Sequence, residues 1–154
     1  LDGQVTLSPG SERRLVGVHP DLVRVVRRCA SICGGLEFIV TEGLRTLDRQ
    51  KILLAQGKSR TMHSRHLTGH AVDLAVLSGG EVSWAWPSYQ QLAAVMSDAA
   101  RIEGVSVTWG GLWTSLRDGP HYELDPLVYP MPGPRPDDAQ ILASAPAAGQ
   151  PPQA

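Results

Sequence analysis

The segment GHAVDLAVL, from Gly69 to Leu77, constrains this chain more than any other. It reads as a strand from about His70 to Leu77. Alternate side chains of a strand share a face. Ala71, Asp73 and Ala75 then point one way, and His70, Val72, Leu74 and Val76 point the other. The two alanines leave open space above Asp73. Ser78-Gly79-Gly80 has the composition of a hairpin turn, and EVSW returns as a short strand.

Other segments supply helices and further short strands. His19-Pro20-Asp21 opens a helix, with Pro in its first turn and Asp at the positive end of the dipole. Leu22, Val25, Val26, Cys29, Ile32 and Cys33 recur at helical spacing, and Gly34-Gly35 ends the run. Residues 1–18 read as an irregular or extended lead-in. LEFIVTE reads as a strand. Thr46 caps a helix over LDRQKILLAQ that Gly57 stops. Pro87-Ser88 precedes another helix, with Ser88 and Gln91 as a capping box. Leu92, Val95, Met96, Ala99 and Ile102 form its apolar face, and Gly104 stops it. VSVTW and HYEL are strands separated by the Gly110-Gly111 turn. This element set predicts an α+β fold, a small antiparallel sheet packed against helices. Residues 1–128 form a single domain in this reading. The Pro- and Ala-rich stretch 129–154 cannot bury much surface and reads as a flexible tail.

Composition excludes several function classes. The 154 residues carry 14 basic and 15 acidic side chains, a net charge of -1, so nothing suggests a partner in nucleic acid or an anionic membrane. No apolar run is long enough to span a bilayer. The N-terminal LDGQVTLSPG lacks the apolar core of a secretory signal and starts without Met, as a processed chain would. Cys29 and Cys33, four apart in a helical pattern, read as small core residues rather than a disulfide or half a metal site.

The chemistry concentrates in TMHSRHLTGHAVDLA, which holds His63, His66 and His70 beside Asp73. His66 and His70 have the spacing of two ligands on one helix face, but Leu67 follows His66 where the HExxH pattern needs Glu, and Gly69 interrupts the segment. Strand alternation sets His70 on the face opposite Asp73. His66 precedes the Gly69 turn and can fold back over the Asp73 face. Of the histidines outside the cluster, His19 reads as a helix cap, whereas His121 opens a strand three residues after Asp118 in DGPH. His66, Asp73 and His121 match a catalytic zinc site: three protein ligands and an open fourth position. Asp118 is then placed to accept a proton from zinc-activated water and pass it to a leaving amine. Spacing alone leaves a plainer alternative open, with Asp73 an edge-strand charge and His66 a loop residue.

The stretch Ser64-Arg65-His66-Leu67-Thr68-Gly69-His70-Ala71-Val72-Asp73 resembles the SxHxxGxAxD motif of the zinc D-alanyl-D-alanine carboxypeptidase and endolysin superfamily. EGLRT at Glu42, Arg49-Gln50, GKSRT at Gly57, WAWP at Trp84, WGG at Trp109 and DGPHYEL at Asp118 resemble its L-alanyl-D-glutamate endopeptidase branch, typical of phage endolysins. The likeness covers roughly residues 10–127 with its motifs in order. It implies a Hedgehog/D-Ala-D-Ala-peptidase-like fold with zinc in a cleft on the sheet. It implies Zn2+ held by His66, Asp73 and His121, with Asp118 as catalytic acid/base. It also implies that Arg45 holds a substrate carboxylate or the scissile carbonyl, as a planar guanidinium suits. Ser64 is either a substrate contact or a turn residue, and Gln50 either a supporting group or a helix surface residue. His63 is not assigned as a ligand. Leu112 departs from the branch, where an acidic residue often follows WGG. Trp84, Trp86 and Trp109 are expected in the core and cleft walls, with Trp113 left open as a sugar-binding platform.

The resemblance thus leads to the expectation of a zinc-dependent peptidase acting on the peptidoglycan stem peptide at the L-alanyl-D-glutamate bond. A D-alanyl-D-alanine carboxypeptidase would use the same catalytic set on another bond. A non-catalytic zinc-bearing binding module would keep the ligands and lose Asp118, which is present. A monomer that inserts in no membrane is expected, and the resemblance further implies that it is held in the cytoplasm until lysis releases it onto the cell wall.

Overall fold

The computed structural model describes residues 6–59, 61–114 and 117–130. Its elements in chain order are α1 (Pro9–Arg14), α2 (Pro20–Ile32), β1 (Glu37–Glu42), α3 (Leu47–Ala55), β2 (Ala71–Ser78), β3 (Glu81–Ser83), α4 (Trp86–Glu103), β4 (Val107–Trp109) and β5 (His121–Leu124), with 3-10 turns at Arg65–Thr68 and Gly110–Leu112. This is the expected α+β architecture.

β2 is the axis of the sheet. β1 pairs antiparallel along one edge, with Phe38 opposite Val76 and Val40 opposite Leu74. On the other edge β5 pairs with residues 71–73 and β3 with residues 76–78. β4 then pairs with β5, giving the order β1-β2-β5-β4. Alternation divides the sheet as the sequence predicts. Val72, Leu74 and Val76 of β2, and Tyr122 and Leu124 of β5, face the core under α2 and α4. Asp73, His121 and Glu123 lie on the opposite face. The core face is completed by Leu22, Val25, Val26 and Cys29 of α2 and Leu92, Met96 and Ala99 of α4, all nearly or fully buried. Each buried Leu, Val or Met side chain among them contributes roughly 1.5–3 kcal/mol by leaving water.

Helix ends follow the capping chemistry for α2 and α3. The His19 side chain accepts a hydrogen bond from Asp21 N–H at 3.0 Å, and Thr46 accepts from Arg49 N–H at 3.1 Å. Burial pushes the free Cys29 thiol up to about 12, consistent with an inert core residue. Two expectations are corrected. The lead-in contains α1, because Ser8 caps it and Pro9 presets its first turn. Its Ser11 is fully buried, and the Ser11 hydroxyl accepts from Val40 N–H at 3.0 Å. Helix α4 starts at Trp86 rather than after Ser88, so the capping box does not form. Pro87 fits the first turn, and Trp86 is held by stacking on Trp109 at 5.5 Å. Ile32 and Ile102, expected on apolar faces, are 39% and 48% exposed near the ends of their helices.

The chain after β5 folds back on α2. Tyr129 donates its hydroxyl to Asp21 at 2.7 Å, and Arg65 donates to the Tyr129 carbonyl at 2.9 Å. Most of the stretch expected to be a flexible tail, residues 131–154, lies outside the described residues. Among the described residues, no helix is long and apolar enough to cross a membrane.

Candidate metal centre

A cleft of about 410 Å³ opens on the sheet face opposite the core, lined by Arg45, Ser64, His66, Asp73, Asp118 and His121 among others. Each arrives by a different local device. Asp73 points out of β2. Ala71 and Ala75, which share its face, are covered and do not line the cleft, so Asp73 is the residue through which β2 reaches it.

His66 sits in the 3-10 turn Arg65–Thr68, which Ser64 caps by accepting from His66 N–H at 3.2 Å. Gly69 closes the turn with φ +75°, and a Cβ there would stand 2.3 Å from the Gly17 carbonyl oxygen. The turn thus presses against the residues before α2 and drops His66 over β2.

His121 follows the turn Asp118-Gly119-Pro120-His121, in which His121 N–H donates to the Asp118 carbonyl at 3.2 Å. The WGG motif explains how that turn reaches the cleft. Asp118 N–H donates to the Gly110 carbonyl at 3.0 Å, and a Cβ on Gly110 would lie 2.6 Å from the Asp118 carbonyl oxygen. Gly110→Ala is therefore expected to destabilise the protein by about 1–3 kcal/mol, by displacing this turn. A chemical-denaturation midpoint equal to that of the unmodified protein would contradict the close approach.

The candidate donor atoms converge. His66 Nε2 and His121 Nδ1 each lie 3.3 Å from the same Asp73 oxygen, Oδ1. One donor atom from each residue lies within 4.8 Å of the others, a group able to hold a metal ion. His66 Nδ1 is taken by the Gly43 carbonyl at 2.8 Å. His66 Nε2 is buried and makes no hydrogen bond among the described residues. A buried ring nitrogen without a partner, aimed at a carboxylate beside a second imidazole, is what a borderline-soft divalent ion satisfies. The site therefore fits zinc.

Electrostatics agree with that geometry. Burial opposes ionisation of Asp73, but the His121 and His66 rings outweigh it and hold its carboxyl far below the usual range. Burial also opposes a charge on His121, yet Asp73 and Glu123 push its value up to about 9. Asp118 moves the other way: burial, then the charge of Asp73, raises its carboxyl above the ordinary value. Such a shift suits a group that must both accept and donate a proton.

Arg45 lies on the cleft wall with most of its donors committed. Its Nε and Nη2 form a fork on Glu42 at 2.7 and 2.9 Å, and Nη1 donates to Gln50 at 2.8 Å. Nη2 also lies 3.9 Å from Asp73 Oδ2, so the guanidinium borders the candidate metal group. Gln50 is fully buried, and its amide ties Arg45 to Ser59 and to the Thr61 carbonyl. It is a supporting group rather than a helix surface residue.

Histidines outside this candidate group stay out of the cleft. His70 pairs its Nδ1 with the Thr68 hydroxyl at 2.6 Å, and His63 is exposed. Trp113 stands 5.1 Å from the His121 ring on the cleft wall. Trp84 corrects an expectation: it is 73% exposed, in the link between β3 and α4, where one face stacks on Tyr89 at 6.2 Å.

Sequence reading missed Glu42 and the pair Arg65–Glu123. A signal existed for each. Glu42 stands three residues before Arg45, and Glu123 two after His121, hence on the same face of β5.

Known proteins share the sequence and fold of this chain. A family profile described as phage L-alanyl-D-glutamate peptidase matches residues 4–125. The L-alanyl-D-glutamate peptidase of Escherichia phage T5 is 27% identical over 112 residues, 70% of this chain and 81% of its own. That of Listeria phage A118 is 31% identical over 96 residues, 59% of this chain, and the match spans only 31% of its length. The peptidoglycan L-alanyl-D-glutamate endopeptidase CwlK of Bacillus subtilis is 28% identical over 64% of this chain and 67% of its own. The crystal structure of the Serratia marcescens L-Ala D-Glu endopeptidase ChiX superposes with a TM-score of 0.78 at 46% identity, covering 84% of this chain and 96% of that one. With the profile spanning nearly all of the described fold, this chain belongs to the phage L-alanyl-D-glutamate peptidase family.

Proposed function

We propose that this chain is a zinc-dependent peptidase that hydrolyses the L-alanyl-D-glutamate bond of the bacterial peptidoglycan stem peptide. The observation that carries the reading is the convergence of His66, Asp73 and His121 beside a carboxyl of raised pKa in one cleft. His66 would hold the ion through Nε2, His121 through Nδ1 and Asp73 through its carboxylate. When bound, zinc supplies Lewis acidity to the scissile carbonyl and to an attacking water.

The remaining work falls to the protein's own side chains. Asp118 takes a proton from the attacking water and returns it to the leaving amine nitrogen. Arg45, fixed by Glu42 and Gln50, keeps an N–H of Nη2 for a substrate oxygen, while its charge is largely balanced by Glu42. Ser64 holds the 3-10 turn through its oxygen, leaving its hydroxyl hydrogen for substrate. The enzyme acts as a monomer on the cell wall and waits in the cytoplasm until lysis.

Digestion of purified muropeptides, read by mass spectrometry, tests the bond. The expected products are N-acetylmuramoyl-L-alanine and a peptide with a free D-glutamate amine. Release of terminal D-alanine alone would instead identify a carboxypeptidase. Zinc binding without hydrolysis of any wall fragment would identify a binding module.

A further inference from the structure

The geometry points to Glu123 as a positioning residue that decides which nitrogen of His121 faces the metal centre. This rests on the zinc reading above. Glu123 is 3% exposed, and its Oε1 lies 2.8 Å from His121 Nε2. A carboxylate only accepts hydrogen bonds, so Nε2 carries a proton toward Glu123, and with zinc bound Nδ1 is the nitrogen left to offer a lone pair. Nδ1 is the nitrogen that faces Asp73.

His66 is arranged in the opposite sense. Its Nδ1 meets the Gly43 carbonyl at 2.8 Å, which leaves Nε2 for the site. The two histidines therefore present different ring nitrogens, each selected by the acceptor behind it. A carbonyl serves one, and a buried carboxylate serves the other.

Glu123 is itself enclosed and faces a buried cation. Its backbone lies between β2 and β4, opposite Ala71 and Thr108. Its Oε2 lies 3.3 Å from Arg65 Nε. Arg65 cannot swing away, because its Nη2 donates to the carbonyls of Leu124 at 2.7 Å and Tyr129 at 2.9 Å. Arg65 also starts the 3-10 turn that carries His66. The pair Arg65–Glu123 thus joins the supports of both histidine ligands. Acceptors behind a metal-bound imidazole fix its tautomer and raise its basicity, and their loss typically costs about 10–100-fold in metal affinity.

A purely structural role, in which Glu123 only neutralises buried Arg65, makes a different forecast. Zinc affinity measured by competition with a chromogenic chelator separates the two, alongside 15N NMR of histidine-labelled, zinc-loaded protein. Glu123→Ala is expected to weaken zinc binding about 10–100-fold. Glu123→Gln, which keeps an acceptor oxygen, should recover most of that loss. NMR of the unmodified protein should show His121 bound to zinc through Nδ1, with a proton on Nε2. Unchanged affinity in Glu123→Ala, equal losses in both variants, or His121 bound through Nε2 would each overturn the proposal. If Glu123→Ala fails to fold, the NMR assignment decides alone. Failure of the unmodified protein to bind zinc at all would overturn the proposed function, and this inference with it.

Discussion

Asp118→Asn is expected to keep its zinc and lose its turnover. Asp118 stands beside the ligand set, so replacing it removes no ligand. Its backbone, which bonds Gly110 and His121, holds the turn regardless of the side chain. Asn matches the carboxylate in size but cannot take up a proton. The carboxyl is raised by burial and by the charge of Asp73, and that shift brings it closer to the pH at which it must work. Removing a positioned general base typically costs about 10²–10⁴-fold in rate. Turnover of muropeptide should fall by that factor at unchanged metal content. Near-normal wall lysis by the variant would remove Asp118 from the mechanism.

His66→Ala should lose both metal and turnover. The ring is buried and fixed from behind by Gly43, and its free nitrogen makes no hydrogen bond although it lies 3.3 Å from Asp73 Oδ1. Without it only Asp73 and His121 remain, half of a tetrahedral shell. Zinc binding is expected to weaken beyond detection by chelator competition, and hydrolysis to vanish with it. The ring also packs against His121 at 5.2 Å, so a modest fall in melting temperature should accompany the loss. A far-UV spectrum matching that of the unmodified protein would show that the fold survives. One zinc per chain at normal affinity in this variant would contradict the ligand assignment.

Much of this was legible in the sequence because it depends on local periodicity. The alternation in AVDLAVL separates Asp73 from the aliphatic core, and the turn residues of DGPH bring Asp118 and His121 in together. What escaped depends on contacts distant along the chain. Gln50 reads as one polar residue in a helix until the segment Ser59–Thr61 folds over it. Arg65 reads as a turn residue until Tyr129, 64 positions later, accepts its hydrogen bond. The Glu42–Arg45 pair is the exception: it is local, three residues apart in EGLRT, and its spacing was a signal the reading passed over. Helix α1 was missed for a different reason. Ser8-Pro9 is a legitimate start signal, but its six residues stay helical because Ser11 is tied to β1.

Product formation under metal control tests the central claim most directly. Purified protein is stripped with a chelator, split, and assayed on muropeptide with and without one equivalent of added zinc. The stripped protein should release no N-acetylmuramoyl-L-alanine, and zinc should restore its release in step with occupancy, saturating at one ion per chain. Undiminished release from protein shown to be free of metal would contradict a zinc peptidase built on His66, Asp73 and His121.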